Sequence, residues 1–90
     1  RRLPGSVGAR LLGARIALFE GRTGEASDAL QQIEESMPGD ARVQYLLVEA
    51  LLRGGNVVRA TEVLQRRVRS HPQELQARSL LARLLLAQNR

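Results

Sequence analysis

The sequence predicts an all-α protein, an α-α superhelix of two helical hairpins followed by one terminal helix. Three observations lead there. First, the chain repeats itself with a period of 34 residues. Between Val7 and Asp40, eight positions match those 34 residues further on: Leu12/Leu46, Leu18/Leu52, Gly21/Gly55, Ala26/Ala60, Leu30/Leu64, Gln31/Gln65, Ser36/Ser70 and Pro38/Pro72. A fixed period of that size marks a stack of supersecondary units, each burying its apolar face against the next. Second, the apolar residues, 43% of the 90, are mostly Leu, Ala and Val, with Phe19 and Tyr45 the two aromatics. That mix favours helix over sheet. Third, Gly21, Pro38, Gly39, Gly54, Gly55 and Pro72 fall between the apolar segments and punctuate them.

The elements follow in order. Residues 1–6, with Pro4 and Gly5, read as a disordered lead-in. From about Val7 to Glu20, Leu11, Leu12, Ile16, Leu18 and Phe19 alternate with small Ala14 and Ala17 at helical spacing. Gly21-Arg22-Thr23-Gly24 breaks this helix. Thr23 is then the expected N-cap of a second helix reaching about Ser36, with Glu25 in its first turn and Ala26, Ala29, Leu30 and Ile33 on one face. Asp40 is placed to cap a third helix from about Ala41 to Arg53, and Asn56 a fourth from about Val57 to Ser70. The fourth helix turns Val57, Ala60, Val63, Leu64 and Val68 inward. A fifth, about Glu74 to Gln88, carries Leu75, Leu80, Leu81, Leu84 and Leu85. Gly21 and Gly55 suit left-handed C-terminal caps, and Asn89 falls at the same register. Loops of two to four residues make consecutive helices antiparallel neighbours. The units are therefore 7–40, 41–74 and 75–90, the last being the first helix of a third repeat or a capping helix.

Composition narrows the chemistry. There is no Cys, which excludes disulfides, thiol nucleophiles and zinc–thiolate sites and leaves cytoplasm and periplasm equally open. No apolar run approaches the ~20 residues that span a bilayer. The net charge is +5, and all 14 basic residues are Arg, as a GC-rich bacterial genome would encode. The chain opens Arg1-Arg2-Leu3-Pro4 without an initiator Met and reads as a segment of a longer protein. Ninety residues bury only about 60–65% of the unfolded surface, so the core is modest.

No catalytic set is visible. His71, the single His, precedes Pro72 at a helix end, where its protonated form suits the helix dipole. Glu34-Glu35 reads as solvated helix surface, and neither Gly5-Ser6-Val7-Gly8 nor Gly54-Gly55-Asn56 has the spacing or the Lys of a phosphate loop. No metal or other cofactor is expected. Arg59, Arg66, Arg67 and Arg69 cluster on the fourth helix, with Arg59, Arg66 and Arg69 toward solvent. Nucleic acid is the functional reading of such a cluster, but the chain has almost no aromatics for bases to stack on.

The co-registered residues Gly21/Gly55, Ala26/Ala60, Leu30/Leu64 and Pro38/Pro72, with Ala14, Val48 and Ala82 at the small position of each first helix, resemble the tetratricopeptide repeat (TPR) family, a bacterial TPR-containing segment. The match runs from Val7 to Arg90. Departures are Arg10 or Gln44, and Ala17, Leu51 or Leu85, where the family often has aromatics. Ile33 and Arg67 replace its late small residue. Arg67 in that slot predicts loose packing between repeats.

The resemblance implies that the first helix of each unit lines a concave groove. By register the partner-binding candidates are Arg15, Leu18, Phe19, Arg42, Tyr45, Glu49, Leu52, Arg53 and Arg83, flanked by Leu11, Gln76, Ser79 and Leu86. Arginines and aromatics are the residues that dominate interface energies, and an arginine fork suits an acidic or C-terminal peptide. The Lys/Asn clamp by which some family members hold a chaperone's C-terminal carboxylate is absent, since the inner positions are Leu12, Leu46 and Leu80, or Arg15 and Glu49. The expected function is a non-enzymatic protein–protein interaction scaffold, with the exposed ends of the array open to homo-oligomer contacts. The alternatives are a regulatory repeat domain of a larger enzyme, such as a periplasmic or membrane-associated protease, and an RNA-binding helical repeat.

Overall fold

Each helix packs on the one that follows it in the chain, in a computed structural model that describes residues 5–89. The helices are α1 (Gly5–Phe19), α2 (Thr23–Ser36), α3 (Ala41–Arg53), α4 (Val57–Ser70) and α5 (Leu75–Gln88). Contacts run α1–α2, α2–α3, α3–α4 and α4–α5, and α1 also meets α3. Packing that runs from each helix to the next, with contacts to the next but one, is that of a helical repeat array. Of the expected lead-in, residues 1–4 lie outside the described residues, while Gly5 and Ser6 belong to α1, which starts two residues before the apolar pattern does.

The small residues of the repeat sit where backbones approach. Ala26 and Ala60 are fully buried, as are Ala14, Ala17 and Ala50, and around them pack Leu30, Ile33, Val43, Leu47, Val63 and Leu64. Gly21, Gly39 and Gly55 have φ of 83°, 84° and 82°, a conformation costly for any residue with a Cβ. Asn89 does not join them; its φ is −89°, and its N–H donates to carbonyls of the preceding turn without a left-handed residue.

Two of the three expected N-caps form. The Asp40 carboxylate accepts from the Val43 N–H at 3.2 Å and the Asn56 side chain from the Arg59 N–H at 3.3 Å. Thr23 does not cap. It is the first residue of α2, preceded by Arg22, which makes no side-chain cap bond. Its hydroxyl instead faces Gly54 so closely that a Cβ there would lie 3.1 Å from it. Packing between the two inter-helix turns has taken Thr23 from the capping role.

Arg67 overturns the expectation of a loose joint. It is 5% exposed and tightly held. Its Nε and Nη2 donate to Glu74 Oε1 and Oε2 at 2.7 and 2.9 Å, and its Nη1 to the Gly39 carbonyl at 2.8 Å and to Gln44 Oε1 at 3.2 Å. The guanidinium also lies 5.9 Å from the centre of the Tyr45 ring. Gln44, itself buried, passes the chain on by donating to Glu34 Oε2 at 3.0 Å. Glu34 is accordingly half-buried between Gln44 and, at 3.9 Å, Arg66; it is not the solvated residue its charge suggested. No buried side-chain nitrogen or oxygen among the described residues lacks a partner, the condition under which a buried polar network supports a fold. Arg59 likewise is half-buried, donating to Gln31 at 2.7 Å and so linking α4 to α2.

Candidate partner-binding surface

The residues of this surface come from α1, α3 and α5. An (i, i+3/i+4) spacing puts Leu11, Arg15 and Phe19 along α1, and Arg42, Tyr45, Glu49 and Arg53 along α3. Three adjoining hollows lie between these helices. One of about 250 Å3 is lined by Arg15, Leu18, Phe19, Leu46, Glu49 and Arg53. A second of about 290 Å3 is lined by Leu11, Arg15, Arg42, Tyr45, Leu46 and Glu49. A third, of about 310 Å3, reaches α5 and is lined by Tyr45, Val48, Glu49, Leu52, Arg53, Gln76 and Leu80. Glu49 borders all three, while Arg15, Tyr45, Leu46 and Arg53 each border two.

The structure thus brings eight of the nine sequence-derived candidates together. Arg83, exposed on α5, lines none of these hollows. Leu18 lines the first hollow but is buried in the core, so it forms floor and not free surface. Its neighbour Phe19 is the opposite case at 89% exposed, the most solvent-facing large apolar residue among those described. Leu46 and Leu80, which the sequence places at inner clamp positions and not among the partner-binding candidates, and Val48, assigned there to a packing position, also line the hollows.

The charges are not equally available. Arg53 is bound to Glu49 across one helical turn at 2.8 Å, and donates to the Leu18 carbonyl at 3.4 Å. Arg42 lies 3.6 Å from Asp40. Arg15 and Arg83 make no ion pair among the described residues. Tyr45 is not a loose anchor either. Its hydroxyl donates to Glu74 at 2.7 Å, and burial, then that bond, push its pKa up to about 12. Glu74 is pulled down to about 2, chiefly by the Arg67 guanidinium and next by the Tyr45 hydroxyl. Tyr45 is therefore committed to the Arg67 joint while also bordering two of the hollows.

A family model described as tetratricopeptide repeat matches residues 17–84, most of the chain. The chain belongs to the tetratricopeptide repeat family. Repeats of this family are protein-interaction modules and typically non-catalytic, so this segment is a protein-interaction repeat module in general kind. No curated protein and no solved structure matches it. Among the described residues of this tetratricopeptide repeat chain, no helix is long and apolar enough to cross a membrane.

Proposed function

We propose that the chain is a scaffold segment that holds a peptide or protein partner along the shared face of α1, α3 and α5. The observation that carries this reading is the run of three adjoining hollows, each with an apolar floor and a charged rim. An apolar centre within a polar rim is the make-up of an energetically productive contact patch. Arg15 is the key cation, since it borders two hollows and has no ion-pair partner among the described residues. Arg42 comes next, because its link to Asp40 is long. An acidic segment with bulky apolar residues suits this face.

The experiment is affinity capture of the full-length protein's partners, followed by measurement of the affinity of the captured partner for an Arg15→Glu, Arg42→Glu variant. Affinity should fall at least tenfold with helicity unchanged. Undiminished affinity would move the partner off this face. Arg53→Glu is the poorer probe, since it also sets two carboxylates against each other at Glu49 and loses the bond to the Leu18 carbonyl.

A further inference from the structure

The hollow bordered by Phe19 and the hollow bordered by Arg42 lie end to end in one cleft between α1 and α3, inside the array and not on either of its end faces. From the Arg42 hollow to the Phe19 hollow the lining residues advance together, from Leu11 to Phe19 on α1 and from Arg42 to Arg53 on α3. Centre to centre the step is about one helical turn, roughly 6 Å at 1.5 Å per residue. The two hollows differ in kind. Phe19 is 89% exposed, so the hollow it borders has an apolar wall that nothing in the fold covers, with Leu18 and Leu46 behind it. The other hollow is rimmed by two cations, Arg15 and Arg42. Arg15 has no ion-pair partner among the described residues, and Arg42 reaches Asp40 only at 3.6 Å. The acid on that rim, Glu49, is already met by Arg53 at 2.8 Å, which leaves the positive charge in surplus. The Tyr45 hydroxyl is bound to Glu74, so Tyr45 offers this hollow its ring and not a free polar group.

Charge and spacing together describe the occupant. A carboxylate suits the Arg15–Arg42 rim, where it gains charge-assisted hydrogen bonds, and a bulky apolar side chain suits the wall at Phe19. α1 and α3 meet directly below the cleft. A helix, about 10–12 Å across with its side chains, would rest on the rims, whereas a single extended strand can follow the floor. Alternate side chains of a strand point the same way and stand about 6.6 Å apart, which matches the step between the hollows. We infer that the cleft reads an extended segment of another protein in which an acidic residue and a bulky apolar residue stand two positions apart, the acid between Arg15 and Arg42 and the apolar side chain against Phe19. The inference rests on the partner-binding face proposed above and narrows it to the α1–α3 cleft, with the hollow beside α5 taking no part in the motif.

The test uses the whole chain, isotope-labelled, and three capped synthetic peptides. Ser-Glu-Ser-Leu-Ser-Glu-Ser places an acid two positions from the Leu on both sides, so it fits whichever way the strand runs. Ser-Ser-Glu-Leu-Glu-Ser-Ser has the same composition and charge but turns its acids to the opposite side of the strand. A longer peptide with acids four positions from the Leu presents the same pair on one face of a helix. The first peptide should shift the amide signals of Arg15, Phe19 and Arg42 and bind about tenfold more tightly than either of the others. Phe19→Ser, at an exposed position, should weaken its binding and narrow the difference between Leu and Ala at the peptide's centre. Arg42→Gln should weaken it too, and narrow the difference between Glu and Gln in the peptide. Equal binding of the first two peptides, or tighter binding of the third, with the shifts still in the cleft, would overturn the motif while leaving the wider face standing. Shifts elsewhere on the chain, or none at millimolar peptide, would also overturn it; the captured partner's affinity for the Arg15→Glu, Arg42→Glu variant then decides the wider reading by itself.

Discussion

Arg67, seven residues before Glu74, reaches across the turn between α4 and α5 and grips its carboxylate with two parallel hydrogen bonds of 2.7 and 2.9 Å. The corresponding pair one repeat earlier is Ile33 and Asp40, which do not touch in this way. Asp40 is short and caps its own helix at Val43. Glu74 is one methylene longer, makes no side-chain cap bond, and turns back toward Arg67 and Tyr45 instead. The late slot of the second helix is thus filled by an apolar side chain where the next residue in line is a cap, and by a guanidinium where it is a carboxylate that can return.

Arg67→Ala should destabilise the chain by about 2–3 kcal/mol, the range for removing a buried group with charge-assisted bonds, because the Gly39 carbonyl and Gln44 lose their donor at the same time. Arg67→Lys should recover little, since one ammonium cannot reproduce the planar fork. Urea denaturation followed by circular dichroism measures both. Stability equal to the parent in Arg67→Ala would show that the network is idle.

Acid should weaken the same joint. Glu74 is held at about 2, below its ordinary value near 4.5. A folded-state pKa below the unfolded one contributes stability that is complete above the unfolded value and lost as the pH falls through the folded one. The loss therefore runs from about pH 4.5 down to about 2. Glu74→Gln should be less stable than the parent at pH 7, and its stability should fall less between those limits. Denaturation midpoints at pH 6, 4, 3 and 2 provide the comparison, and parallel curves for the two proteins would contradict it.

Tyr45 offers a direct optical readout, since it is the single Tyr and there is no Trp. Phenolate absorbance should rise near pH 12 in the folded protein and not near 10. Glu74→Gln replaces the charged acceptor of its hydroxyl by a neutral amide oxygen and should bring the midpoint down. A midpoint of 10 in the folded parent would mean that the hydroxyl is free.

Gly55→Ala should cost about 1–2 kcal/mol although nothing lies near the added Cβ, because the penalty is the left-handed backbone itself. Gly55→Asn should cost less, as Asn visits that conformation more readily. Thermal unfolding of the two variants checks the order, and equal midpoints would show that the turn relaxes away from φ 82°.

Much of this architecture could be read from the chain. Helix number, order and approximate ends follow from apolar spacing and from Gly and Pro, and the close-approach positions follow from Ala26 and Ala60. Asp40 and Asn56 were legible as caps because a cap is a local contact. Thr23 was not, because its role is set by Gly54, 31 residues away in another turn. Arg67 and Glu34 misled for a related reason. A charge reads as solvent-facing or misplaced until its partners are known, and theirs lie on other helices. On the proposed binding face, Phe19 and Arg15 border a hollow, as their register suggests. It does not separate Leu18, turned into the core, from Phe19 beside it, and it does not show that Glu49 already holds Arg53.

The network around Arg67 also bears on how such an array can evolve. Duplicating or exchanging 34-residue segments would not give equivalent products. The Arg67–Glu74 pair lies within residues 41–74 and travels with them, but Gln44 takes its acceptor, Glu34, from the preceding segment. A second copy of 41–74 placed after residue 74 would find Val68 at the register of Glu34 and leave that copy's Gln44 without this acceptor. The repeats share a period, yet their order is constrained, and chimeras that shuffle them should tolerate some junctions and reject others.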